Sequence, residues 1–214
     1  MTSARDIRFS LDHMEDDFVT VRNRWLPHSI LGGLLVMALI PTGGSSTAST
    51  GGVDVTSAPL AVEHIVIRTK KSYSEVKAGI EKLGRFDDAM RAMLVRNDIE
   101  GLRAAAQRAA GEDGLAIHYV ALHGDLLALQ GERRPLIAYY IGNILSASEM
   151  TKVNPAAGLY APLRVVVYAN TDGGTTMEYD RPTSVFSQFR SAEIDAVAQS
   201  LDQRLLTLLK KVSS

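Results

Sequence analysis

The stretch Leu163-Arg-Val-Val-Val-Tyr-Ala-Asn-Thr-Asp-Gly-Gly-Thr-Thr-Met-Glu-Tyr179 decides the fold. Two runs rich in β-branched and aromatic residues flank Asn170-Thr-Asp-Gly-Gly174, where Asp-Gly-Gly supplies the positive-φ positions that a tight hairpin requires. Alternation along the first run puts Arg164, Val166 and Tyr168 on one face and Leu163, Val165 and Val167 on the other. One face is wholly apolar, as a core-facing strand demands.

Outward from this hairpin, Leu115–Leu122, Leu126–Leu129 and Leu136–Ile141 are further short runs separated by Gly, Pro and Asn or Asp, and they read as strands of the same antiparallel sheet. Val62–Arg68 reads as a strand that precedes a helix. Ser72-Tyr-Ser-Glu75 is a capping box, Val76, Ile80 and Leu83 recur at helical spacing, and Gly84 is placed to stop the helix in the left-handed conformation. Asp87 can cap a segment with Met90, Met93 and Leu94 on one face, and Asn97 with Glu100 can cap a helix over Asp98–Ala110. Ser191 caps a long closing helix whose stripe is Ile194, Val197, Leu201, Leu205, Leu208 and Val212, with Lys210 and Lys211 at its negative end. The order is β-α, two extra helices, several antiparallel strands and a final helix. That order predicts an α+β domain with helices on one face of an antiparallel sheet.

Composition excludes several chemistries. The 214 residues contain no cysteine, so disulfides, zinc–thiolate clusters, iron–sulfur centres and cysteine nucleophiles are impossible. The net charge is −1, without the basic excess of a nucleic-acid-binding domain. Four arginines and five acids fall before residue 29, so the remaining chain balances its charges.

Residues 1–48 read as a secretory signal with an extended n-region. Arg22 and Arg24 form the positive flank, Ile30–Ile40 the apolar region, and Ser46-Thr-Ala48 a small-x-small cleavage site. Eleven apolar residues are too few for a span, which needs about 20. Residues 49–61 read as a flexible linker and 62–214 as the domain. The expected product is exported, periplasmic or extracellular, with no stable membrane anchor after cleavage.

The histidines give no metal pattern: His118 and His123 are five apart, which puts them on opposite faces of a continuous strand, and no H-E-x-x-H occurs. His123 stands at a turn and is a candidate acid/base. Ser184 with His123 and Asp180 lacks the strained elbow that activates a serine. Six of the seven tyrosines fall in the sheet half, where Tyr140, Asn143, Arg164, Tyr179 and Asp180 lie near strand ends beside Gly142, Pro162 and Pro182. Polar groups at strand ends next to rigid turns can line a small pocket. Arg164 either pairs with an acid such as Asp180 or offers its fork to an anionic ligand.

Tyr139-Tyr-Ile-Gly-Asn143, Leu159-Tyr-Ala-Pro-Leu-Arg-Val-Val-Val-Tyr168 and Glu178-Tyr-Asp-Arg-Pro-Thr-Ser184 resemble successive signatures of the domain of unknown function 302 family, with His123-Gly124 and Leu201-Asp202 as further matches. The resemblance covers about residues 62–212. It implies a β-α-β(4)-α domain of TATA-box-binding-protein-like arrangement, here with Asp87–Ala110 inserted, β-α-(αα)-β(4)-α, and often found as a dimer. Family members continue Gly-Asn with Pro where this chain has Ile144, which implies a looser turn after Asn143. The family implies no reaction and no cofactor.

The functional expectation is a small-molecule-binding or stress-related accessory domain, with His123, Tyr140, Asn143, Arg164, Tyr179, Asp180 and Ser184 about its ligand. The alternatives are an enzyme using His123 as acid/base, and a structural homodimer in which these polar residues build the interface.

Overall fold

The structure, a computed structural model, describes residues 46–50 and 52–214. The leader read over residues 1–48 lies outside the described residues except for its last three. Ser46–Thr50 (β1) pairs antiparallel with Val53–Ser57 (β2), with Thr50 opposite Val53. A hairpin therefore runs from the last three residues of the expected leader into the segment read as a linker: Val53, Val55 and Thr56 favour extended backbone, and Gly52 at φ +86° closes the turn. All five β2 residues are exposed.

The main sheet has five antiparallel strands in the order β3-β7-β6-β5-β4. They are His64–Thr69 (β3), Ala116–Ala121 (β4), Leu136–Gly142 (β5), Leu163–Ala169 (β6) and Thr175–Asp180 (β7). The hairpin that decided the fold is present, with Gly173 at φ +86° and Gly174 at φ +77° and Ala169 opposite Thr175. Ile137, Tyr139, Ile141, Val165, Val167 and Met177 are buried on one face. Tyr73–Ile80 (α1) and Ala192–Ser213 (α7) cover that face with Val76, Ile80, Ile194, Ala198, Leu201, Leu205 and Leu209. The other face carries His64, Val66, Arg68, Tyr119, Tyr140, Arg164 and Glu178, and no helix among the described residues covers them to the same degree: Tyr119 is 62% exposed.

The capping box at Ser72 is complete: its Oγ accepts the Glu75 amide, and Glu75 accepts from the Ser72 amide at 2.9 Å. The helix ends at Ile80 with Glu81 as its cap, four residues before the expected glycine stop. Gly84 does not take a positive φ. It is needed because a Cβ there would stand 2.2 Å from the Ala109 carbonyl oxygen. Gly84 and Phe86 instead hydrogen-bond to Ile117, covering part of the β4 edge.

The two inserted helices are Asp88–Val95 (α2), capped by Asp87, and Ile99–Ala110 (α3). The α3 cap is Asp98 and not Asn97, which occupies the left-handed region at φ 58°. Met90, Leu102 and Ala105 form a satellite core with Phe86, Met93 and Ile144 packed on it, while Leu94 is 52% exposed.

Three elements differ from the sequence expectation. Leu126–Leu129 is no strand: His123–Leu126 (α4) runs into a 3-10 turn over Leu127–Gln130, and Leu126 and Leu129 are exposed, with no partner strand among the described residues reaching them. Ile144–Val153 (α5) and Pro182–Phe186 (α6) are helices that no apolar stripe announced.

Candidate functional site

Three chain reversals converge at one end of the sheet. β5 turns into α5 at Asn143, β6 starts after Pro162, and β7 turns into α6 at Pro182. Two neighbouring cavities form there and share Pro162 and Leu163 as a common wall.

The first, about 160 Å³, is lined by Tyr140, Arg164 and Asp180 against Leu159, Tyr160, Pro182 and Val185. The ladder explains the grouping. Tyr140 pairs with Arg164, and because Val165 pairs with Tyr179, Arg164 and Asp180 are cross-strand neighbours on the open face. Asp180 does not pair with Arg164. Its Oδ1 lies 2.9 Å from His64 Nδ1, while His64 Nε2 lies 2.7 Å from Glu178 Oε2. Both ring nitrogens can donate only when the imidazole is protonated. The hydrogen bond to Asp180, then that to Glu178, accordingly raises the His64 pKa above its usual value. Tyr168 donates to Glu178, and this bond, followed by that from His64, holds the Glu178 carboxyl below its ordinary range. Arg164 is exposed, and among the described residues no carboxylate stands within ion-pair distance of it.

The second cavity, about 190 Å³, is lined by His118, Asn143, Ile144, Ala147, Met150, Phe186 and Leu201 besides the shared wall. Asn143 caps α5 by accepting from the Leu145 and Ser146 amides at 2.9 and 3.4 Å, and its Nδ2 donates to the Gly114 carbonyl at 3.1 Å. The turn expected to be loose without proline is thus tied down by this side chain. His118 escaped the sequence reading because the register shifts between Ile117 and Tyr119, leaving His118 as the bulged residue and out of simple alternation. Its ring stacks on Phe86 at 5.3 Å, with the Arg91 guanidinium 5.0 Å from the Phe86 centroid. Burial chiefly, helped by Arg91 and opposed by the Gly142 backbone, lowers its pKa.

The remaining expected residues lie elsewhere. Tyr179 is 3% exposed on the core face, where burial first and then the Asp202 carboxylate raise its pKa. Ser184 is committed to backbone, donating to the Arg181 carbonyl at 2.8 Å and accepting from the Glu63 amide at 2.9 Å. His123 is exposed at the start of α4, beside the Leu136 end of β5, since a Cβ on Gly124 would meet the Arg134 carbonyl at 2.0 Å. Four strand positions separate Leu136 from Tyr140, about 13 Å at the rise of a β-strand. His123 therefore cannot share a proton with a ligand held at Tyr140 and Arg164. Nor does it meet Ser184, which follows β7, three strands and roughly 14 Å from β4. Among the described residues, no group of three or more His, Asp or Glu is arranged to hold a metal ion, and no helix is long and apolar enough to cross a membrane.

Residues 92–212, more than half of the chain, match the family model described as domain of unknown function DUF302. The chain belongs to the DUF302 family. The match begins within α2 and takes in every strand of the main sheet except β3, together with both cavities. Among solved structures, the chain is similar to an uncharacterised conserved DUF302 protein from Bacillus stearothermophilus, at 15% identity and a TM-score of 0.51. The alignment covers 70% of this chain and 97% of that one, and at this identity it establishes the DUF302 fold alone. No curated protein matches the chain.

Proposed function

We propose that this DUF302 protein is an exported binding domain for a small organic anion, held in the cavity of Tyr140, Arg164 and Asp180. The observation that carries the reading is Arg164: a guanidinium at the mouth of a cavity, unclaimed by any carboxylate among the described residues, beside a tyrosine and an apolar wall. A guanidinium fork matches a carboxylate in bidentate geometry. The volume, about 160 Å³, falls short of the roughly 300–1,000 Å³ used by drug-sized ligands, so the anion is small. Export is supported by the charge-flanked apolar run and small-x-small motif before residue 49.

The test is a thermal-shift and calorimetric series with straight-chain carboxylates from acetate to hexanoate and with benzoate, on the wild type and Arg164→Ala. Saturable stabilisation of the wild type that the variant loses supports the assignment. Absence of any saturable shift in the wild type, or its persistence in the variant, removes it.

A second reading is a homodimer through the open sheet face, favoured by its mixed charges. Arg68 and Arg164 share that face with Glu178 and Asp180, a pattern able to complement a second copy turned by a two-fold axis. Sedimentation of wild type and Tyr119→Arg separates the cases, because Tyr119 is exposed on that face.

A further inference from the structure

The second cavity has a chemistry of its own. His118 lies on its wall, and the His118 Nε2 atom is buried without a hydrogen-bond partner. Buried polar atoms are nearly always satisfied, because an unmade bond leaves their desolvation uncompensated. Asn143, the other polar side chain there, is held by backbone at both ends of its amide, with Oδ1 accepting two amides and one Nδ2 hydrogen donated to Gly114, which leaves it at most one N–H to spare. The rest of the wall is apolar, with Met150, Phe186 and Leu201 at its base.

Size narrows the occupant. An apolar cavity of about 150 Å³ accepts a benzene ring, and this one measures about 190 Å³ and opens partly to solvent. Among the described residues no charged side chain lines it, and burial favours the neutral imidazole, so none of them offsets the cost of bringing in an ion. The complementary molecule is neutral and apolar over most of its surface, with one hydrogen-bonding group at the His118 end.

We propose that this cavity binds neutral single-ring hydroxyl compounds of the phenol class, the ring against Met150, Phe186 and Leu201 and the hydroxyl bonded to His118 Nε2. The site is distinct from the anion cavity and does not need Arg164.

Calorimetric titration of the full chain with phenol and, separately, with benzene tests it. Phenol binds saturably, and roughly two- to twelvefold more tightly than benzene, the margin that one net hydrogen bond supplies. His118→Phe removes that margin while benzene still binds. Ala147→Phe, which fills the cavity from α5, abolishes both, and Arg164→Ala changes neither. In the folded wild type, phenol shifts the amide resonances of Ile144, Met150 and Leu201 and the His118 Nε2 resonance, whatever the variants do. Failure of the wild type to bind either compound overturns the proposal. So does equal affinity for the two, a phenol margin that survives in His118→Phe, or resonance shifts confined to other parts of the chain.

Discussion

Substitution of Gly84 discriminates between two physical reasons for a glycine. As a left-handed helix stop, Gly84 would cost little to replace with Asn, which tolerates that conformation. In the structure it is a point of backbone contact: an added Cβ would lie 2.2 Å from the Ala109 oxygen and 2.8 Å from its Cα. Restoring an acceptable carbon–oxygen separation means moving α3 away by about 1 Å. Neither side yields easily. The Gly84 strip is tied to β4 by bonds of 2.9 Å from the Ile117 amide to Gly84 O and from the Phe86 amide to Ile117 O, and α3 is seated through Leu102, Ala105 and Ala106. Overpacking of this kind costs about 1–3 kcal/mol, and the constraint on both sides puts Gly84→Ala near the upper end. About 3 kcal/mol lowers Tm by roughly 6–12 °C in a chain of this size. Gly131 is the control, at φ +74° with nothing within 4 Å of an added Cβ, so only the conformation penalises a side chain. Urea unfolding read by circular dichroism, with the slope checked for constancy, gives both series. At position 131 Asn is milder than Ala, and at position 84 Asn is at least as harsh as Ala. If Gly84→Asn proves milder than Gly84→Ala, or Gly84→Ala costs under about 1 kcal/mol, the close-approach argument is wrong.

Asp202 is 9% exposed, accepts from Thr183 Oγ1 at 2.9 Å and lies 3.5 Å from Arg181 Nη1; Asp202→Ala strands the Thr183 hydroxyl while Arg181 keeps Glu63 at 2.8 Å, and it costs about 1–2 kcal/mol, measurable as a fall in urea midpoint. His64 has a raised folded-state pKa, so its contribution is complete below the unfolded value of 6.5 and is lost as pH rises through the higher folded value. Stability measured from pH 6 to 9 falls over that window in the wild type and stays flat in His64→Gln; the exposure of the cluster keeps the difference under about 1 kcal/mol, and an identical pH profile in the variant refutes the pairing.

Legibility in the sequence followed the strength of local signals. The β6–β7 hairpin was plain because alternation and an Asp-Gly-Gly turn agree, and the closing helix because its stripe from Ile194 to Val212 spans about five turns. The faces of β6 were also readable: Leu163, Val165 and Val167 are buried in the core, and Arg164 is exposed. Leu126–Leu129 misled because three leucines in a four-residue segment have no period, and only the lack of a pairing strand among the described residues reveals Leu126 and Leu129 as exposed. Helix α5 was silent since Ile144–Val153 interleaves Ile144, Leu145, Ala147, Met150 and Val153 with Ser, Glu, Thr and Lys and buries Met150 alone. At the candidate site, Tyr140, Arg164 and Asp180 were brought together as expected because adjacent strands in register place them side by side. Tyr179 sits one residue from Asp180 and so belongs to the opposite face, a consequence of the strand period that proximity in sequence concealed. His118 depended on a bulge, which alternation cannot foresee.

That single-residue step also explains why one sheet end holds two chemically different cavities. Successive residues on a strand face opposite ways, so Arg164 contributes its charge to the open face while Leu163 turns its apolar side chain toward the core. Pro162 precedes both and lines both cavities, forming the partition between them. On the open side, cross-strand neighbours Tyr140 and Asp180 keep the environment polar. On the core side, α5, α6 and α7 bring Met150, Phe186 and Leu201, and among the described residues lining it the buried side-chain atom without a hydrogen-bond partner is His118 Nε2. Under the proposed assignments, a charged ligand is favoured by the first cavity and disfavoured in the second by the cost of its own desolvation. The division follows from sheet geometry, and altering Arg164 or His118 is expected to change one preference without the other, because the wall the cavities share is Pro162 and Leu163 and includes neither residue.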